Sequence, residues 1–193
     1  MPTPQRLILA SASLGRRALL TQAGYQFDVQ PSGVDEPPFV GFPSPRAYVQ
    51  HVAWLKAAAV APTAPHGIVL SADSVAWQAN EVIGKPADAG DARRILERLA
   101  GTTHELWTGV CLWRRPGDWQ VCWQEASVVE MRRWTANELD AYLASGVWEG
   151  KSGGYGIREE HDPYVRLVQG SLSNVIGLPM ESLARVLAAI SPP

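Results

Sequence analysis

Short unbroken apolar runs alternate along this chain with stretches whose apolar residues recur every three or four positions, the pattern of an α/β protein. Residues 7–10 predict a buried strand, and Ser13 caps a helix that runs to about residue 23, where Gly24 stops it. Residues 25–29 alternate like a strand. Residues 31–45 hold five prolines and two glycines and predict a loop. Ser44 and Pro45 then serve as N-cap and first residue of a second helix, striped by Tyr48, Val52, Leu55 and Ala59. Residues 68–72 predict a strand that ends at Asp73, and residues 75–77 and 82–83 flank a turn at Asn80-Glu81. Asp88 and Asp91 have capping spacing before a helix striped by Ala92, Ile95, Leu96 and Leu99 and closed by Gly101.

Residues 103–114 and 119–133 alternate about Pro116-Gly117, which predicts an antiparallel hairpin with Cys111 opposite Cys122. Thr135 and Glu138 cap a short helix that Gly146 ends, and residues 150–156 form a glycine-rich loop. Residues 165–168 read as a strand and residues 171–179 as irregular. Met180, Leu183, Leu187 and Ile190 stripe a last helix. With no repeat, linker or low-complexity run, residues 1–193 read as one domain.

Composition narrows the function. The chain is 46% hydrophobic and 19% charged, enough for an ordinary core. Its net charge of −2 argues against coating nucleic acid or an anionic membrane. No apolar run approaches a membrane span, and the first residues lack the pattern of a signal peptide, so a cytoplasmic protein is expected. Two cysteines exclude a disulfide scaffold, and both read as reduced packing residues. Of the eight tryptophans, Trp119 and Trp123 share a hairpin face with Val110 and Leu112, while Trp107 and Trp113 take the other. A hairpin apolar on both faces wants cover on both, from the same chain or a second subunit, unless its tryptophans stack on bases.

Chemistry concentrates at a few points. Ser11 and Ser13 follow a buried strand at a helix start, with Arg16 one turn inside, so free amides, a helix dipole and a guanidinium converge on a place that suits phosphate. Asp73 follows the 68–72 run, where α/β sheets open a crevice. With Asp35 and Glu36 from the proline-rich loop it offers the hard oxygens that Mg²⁺ or Mn²⁺ takes beside phosphates. Only three of the 17 basic residues are lysines. Lys56 interrupts the buried side of the second helix, Lys85 precedes Pro86 and the Asp88 cap, and Lys151 sits in the glycine-rich loop. A triphosphate–metal site formed by Arg16, Lys56, Lys85, Lys151 and the acids accounts for this placement. The four histidines are scattered without metal-ligand spacing, and no P-loop, dinucleotide fingerprint or nucleophile elbow is present.

In order along the chain, Leu9-Ala10-Ser11-Ala12-Ser13 with Arg16-Arg17, Val34-Asp35-Glu36, Lys56-Ala57, Ala72-Asp73-Ser74, Gly84-Lys85-Pro86, Thr108-Gly109-Val110, Lys151–Ile157 and Asn174–Pro179 resemble the Maf family of nucleotide pyrophosphatases, also described as septum formation inhibitors. The resemblance implies an elongated α/β mixed-sheet domain with flanking helices, related to inosine triphosphatases, often dimeric, with the active-site cleft between two lobes. It implies Mg²⁺- or Mn²⁺-dependent hydrolysis of a nucleoside triphosphate between the α- and β-phosphates. Asp73 matches the family's general base, Glu36 and Asp73 its metal ligands, and Ser11, Ser13, Arg16, Lys56 and Lys85 its phosphate site. At the base-reading positions this chain has Gly15, Ser74 and Arg158, which match neither the pyrimidine branch nor the 7-methyl-GTP branch. The expected substrates are dTTP and UTP; 7-methyl-GTP or another modified purine is the alternative, and a non-catalytic nucleotide-binding regulator of cell division is the alternative of another class. Gly15 is expected to leave the pocket roomy.

Overall fold

Strand β1 (Leu7–Leu9) is buried at every position because parallel strands flank it, β2 (Phe27–Val29) on one side and β3 (Gly67–Gln78) on the other. Helix α1 (Leu14–Gln22) connects β1 to β2, and α2 (Pro45–Val60) precedes β3. The computed structural model describes residues 6–157 and 162–190. Beyond β3 the sheet turns antiparallel through β5 (Thr102–Arg115), β6 (Gln120–Met131) and β7 (Val165–Gln169), in the order β2-β1-β3-β5-β6-β7. The short β4 (Glu81–Ile83) pairs with the far end of β3. Helices α3 (Ala89–Leu99), α4 (Ala136–Ala144), α5 (Leu172–Ile176) and α6 (Met180–Ile190) complete a mixed α/β sheet with flanking helices, as expected.

One face of the sheet carries two apolar clusters. Leu20 of α1 and Leu183 of α6 pack with Leu70 and Leu112, and farther along the strands Leu96, Leu99, Tyr155 and Ile157 pack with Leu106 and Met131. The other face is covered by α2. The hairpin's apolar faces are thus covered by this chain itself. Trp123, opposite Val110, packs on the α6 side and donates its indole N–H to Ser182 Oγ at 2.9 Å, while Trp107 and Trp113 lie on the α2 side. Trp119 lies outside both strands, with the Arg114 guanidinium over its ring.

Four expectations change. β3 does not stop at Asp73 but runs five residues further, to Gln78. The turn into β4 is made by Ala79 and Asn80, both left-handed at φ 49° and 64°, the geometry of a tight hairpin. Residues 171–179 contain α5, capped by the Ser171 hydroxyl. The buried side of α2 runs through Val49, Val52, Ala53, Lys56, Ala57 and Val60, with Leu55 half-buried and Ala59 exposed. Alanine at 53 and 57 lets that side press close to the sheet.

Candidate active site

The site lies in a gap in the sheet. On the edge of β3 away from β5, β1 ends opposite Leu70 and the antiparallel β4 ends opposite Ala76, so residues 71–75 have no neighbouring strand there among the described residues. Side chains alternate across a strand, so Asp73 points toward α2 and Ser74 toward the opposite face, and the gap makes both reachable from one side. The crevice anticipated at a strand end therefore belongs to β1, while Asp73 sits within β3. Ser152 of the glycine-rich loop lays its hydroxyl on the free Ser74 carbonyl at 2.8 Å.

On the α1 side, Ser13 caps the helix by accepting the Arg16 amide, and Ser11 Oγ accepts the Ser13 amide at 3.2 Å. The Arg16 guanidinium is buried and donates to the Gly177 carbonyl at 2.8 Å, Ser11 Oγ at 3.1 Å and Ser74 Oγ at 3.1 Å. A guanidinium has five N–H groups, so two of them have no protein partner among the described residues and can serve an anion. Burial works against the charge of Arg16, and the carboxylates of Asp73 and Glu36 offset part of that cost.

On the α2 side, Lys56 is the centre. Its ammonium is buried and donates to Asp73 Oδ1 at 2.7 Å and to Glu36 Oε1 at 2.8 Å. Lys85, half exposed just beyond β4, adds a second contact to Glu36 Oε1 at 3.3 Å. Burial alone would raise the Glu36 carboxyl, but the hydrogen bonds and charges of Lys56 and Lys85 outweigh it and leave the group below its ordinary value. Asp73 Oδ2 is buried and has no hydrogen-bond partner among the described residues. An orphaned carboxylate oxygen in such a place is costly to the folded state unless a further group completes it.

The structure therefore brings Ser11, Ser13, Arg16, Glu36, Lys56, Asp73, Ser74 and Lys85 to one gap. Lys151 does not join them, because its ammonium donates to the Val147 carbonyl and its stem lies over Gly156. Asp35 is exposed. The open space expected at Gly15 is absent: a Cβ there would lie 3.1 Å from Ile176 Cγ2, so α5 already fills it. The Ser74 hydroxyl is engaged with Arg16 and, at 2.9 Å, with Thr108 Oγ1. Arg158 lies outside the described residues.

Two contributors were not singled out as site residues. Gly109 is the cross-strand partner of Asp73, and a Cβ there would fall 2.2 Å from the Val49 carbonyl oxygen of α2. A glycine in an otherwise apolar strand is the available signal for such an approach. His104, buried in β5, meets the Tyr155 hydroxyl at 2.6 Å and so ties down the glycine-rich loop. Burial pushes its imidazole down to about 4, so the ring is neutral.

A profile of the family described as Maf-like protein matches residues 6–190. The dTTP/UTP pyrophosphatase of Cereibacter sphaeroides is 44% identical over 188 residues, 97% of this chain and 96% of its own. That of an Anaeromyxobacter species is 43% identical over 94% of this chain and 88% of its own, and that of a Bacillus cereus strain 37% over 95% and 89%. Among solved structures, a HAM1 protein from Coxiella burnetii superposes with a TM-score of 0.55 at 18% identity, covering 96% of this chain and all of that one. The Ham1 protein of Staphylococcus aureus gives 0.53 at 12%, covering 96% and 97%. At such identities these two structures show a shared fold.

Proposed function

The chain belongs to the Maf-like family, and on that premise we propose that it is a nucleoside triphosphate pyrophosphatase that hydrolyses dTTP and UTP to the monophosphate and pyrophosphate. The observation that carries this reading is the buried Lys56 ammonium spanning Asp73 and Glu36, with Arg16 across the gap and Lys85 at its rim. Three cations beside two carboxylates suit a polyanion and a proton acceptor together.

The donor set fits Mg²⁺ or Mn²⁺. The orphaned Asp73 Oδ2 and the Glu36 carboxylate are hard oxygen ligands. No group of three His, Cys, Asp or Glu side chains able to hold a metal exists among the described residues. Two carboxylates with phosphate oxygens and water completing the shell is the usual arrangement for magnesium on nucleotides. When bound, the cation supplies charge neutralisation on the phosphates and acidifies water.

The chain's own residues do the rest. The α1 amides behind Ser11 and Ser13, with the two uncommitted N–H groups of Arg16, grip the phosphates at one end of the gap. Lys56 keeps the Asp73 carboxylate aimed through its 2.7 Å contact to Oδ1, and Asp73 takes the proton of the attacking water. Lys85 takes up charge that develops on the departing pyrophosphate, a contribution on the order of 3 kcal/mol for one such donor. Cytoplasmic placement and pairing into a homodimer are the family's part of this reading. No helix among the described residues is long and apolar enough to cross a membrane.

Base choice tests the substrate. Arg158 offers a fork of donors that suits the O2 and O4 acceptors of uracil and thymine and not the exocyclic amines of adenine and cytosine. Rejection of a base that leaves buried donors unpaired is worth at least ~10-fold. We therefore expect kcat/KM for dTTP and UTP to exceed that for ATP and CTP by about that factor or more, and Arg158→Gln to change the ratio. Equal use of ATP and CTP, or a preference for 7-methyl-GTP that Arg158→Gln leaves untouched, overturns the assignment.

A further inference from the structure

Glu36 reaches the site from a segment with little structure of its own. Residues 31–43 contain four prolines, and no regular element lies within them. Among the described residues, the side-chain hydrogen bonds that join the segment to the rest of the fold are of two kinds. Lys56 and Lys85 hold the Glu36 carboxylate, and the Tyr48 hydroxyl donates to the carbonyl of Pro37, the next residue, at 2.9 Å. The Tyr48 ring also receives Phe39 and Phe42 edge-on, with centroids 5.5 Å and 5.1 Å away and interplanar angles of 70° and 84°. Edge-to-face pairs of this kind add to what burial alone gives.

Tyr48 and Lys56 stand eight residues apart on α2, about 12 Å along its axis, with the fully buried Val52 between them on the same face. One rigid element therefore grips the segment twice, at the carboxylate of Glu36 and at the carbonyl that follows it. Burial, and after it the charges of Asp73 and Glu36, push the Tyr48 hydroxyl up to about 12, so it remains a donor throughout the neutral range. An ordinary buried tyrosine needs one acceptor, and any carbonyl would do. Here the acceptor adjoins Glu36 and the ring takes both phenylalanines of the same segment.

We propose that Tyr48 is the positioning residue of Glu36, clamping the 31–43 segment so that the carboxylate is presented between Lys56 and Lys85. This inference rests on the pyrophosphatase reading for its consequence in catalysis, but the clamp itself is observable without it.

The test uses Tyr48→Phe, Glu36→Gln and the double variant of the full chain. Tyr48→Phe keeps the ring and loses one hydrogen bond, worth about fivefold in the population of a released segment. Chymotryptic cleavage after Phe39, followed by mass spectrometry under conditions that sample the open form, is expected to quicken by about that factor. With dTTP, kcat is expected to fall about fivefold while KM stays within about twofold, because Arg16 and Lys85 still hold the phosphates. On a Glu36→Gln background, Tyr48→Phe is expected to cost less than about twofold more, since its effect passes through the missing carboxylate. Wild-type cleavage and wild-type kcat in Tyr48→Phe overturn the clamp. A full fivefold loss added to that of Glu36→Gln overturns its link to Glu36. If the wild type hydrolyses no nucleotide, the pyrophosphatase reading fails, and the cleavage rates alone then support or overturn the clamp.

Discussion

Asp73→Asn is expected to lower kcat at least ~10²-fold, the usual worth of a general base, while dTTP still binds. Asparagine keeps the shape of the side chain but cannot accept the proton of an attacking water, and it makes a poor ligand for a hard cation. The fold should tolerate the change, because Lys56 keeps Glu36 as an anionic partner at 2.8 Å and is not left as an isolated buried charge. The phosphate grip of Ser11, Arg16 and Lys85 lies on other elements and is untouched. Turnover under saturating dTTP, together with equilibrium binding of dTTP, separates the two effects. A variant with near-normal kcat, or one that has lost binding and turnover in equal measure, contradicts the role assigned to Asp73.

Gly109→Ala is expected to damage the whole site without touching any of its functional groups. The new methyl would meet the Val49 carbonyl oxygen at 2.2 Å and the Gln50 amide nitrogen at 2.7 Å. Both are backbone atoms of α2, so no side-chain rotation relieves the clash. The helix must lift from β5, and Lys56 on that helix then moves off Asp73, the residue directly across from Gly109. Forced overpacking of this severity costs about 3 kcal/mol, or roughly 6–12 °C in Tm for a chain of this size. Thermal unfolding and dTTP turnover are expected to fall together. A Tm within ~2 °C of wild type would show that α2 yields locally at Val49 and does not hold the site through this contact.

What the sequence made legible is what local rules control. The caps at Ser13, Ser44, Asp88 and Thr135 appear as read, because each side chain bonds an amide three residues on. The hairpin register, with Cys111 opposite Cys122, follows from two alternating strands about a tight turn. What was not legible depends on partners distant in sequence. A charged residue followed by serine breaks an apolar run and so predicts an end to β3 at Asp73, yet the strand continues on hydrogen bonds to β5. Functional sites are where such local rules are broken. α5 has five residues, too few to show a period. The stripe of α2 is hard to place from sequence because alanine is equally at home buried or exposed.

The site was legible by residue type more than by contact. Lysines off the open helical surfaces singled out Lys56 and Lys85, and the structure joins them on one carboxylate oxygen of Glu36. It does not join Lys151 to them, since glycine-rich surroundings alone do not say which way a side chain turns. The closeness of Arg16 to Ser74 needs α1 and β3 side by side, and the strand alternation places Ser74 and Asp73 on opposite faces. Only the gap between β1 and β4 reconciles them.

Cleavage of a triphosphate between its α- and β-phosphates at this gap is tested most directly by the products. dTTP should be incubated with Mg²⁺ and either the wild type or Asp73→Asn, and the mixture resolved by ion-exchange chromatography. Stoichiometric dTMP and pyrophosphate from the wild type, with neither above background from Asp73→Asn, is the predicted result. Formation of dTDP and orthophosphate, or equal amounts of dTMP from both proteins, would contradict it.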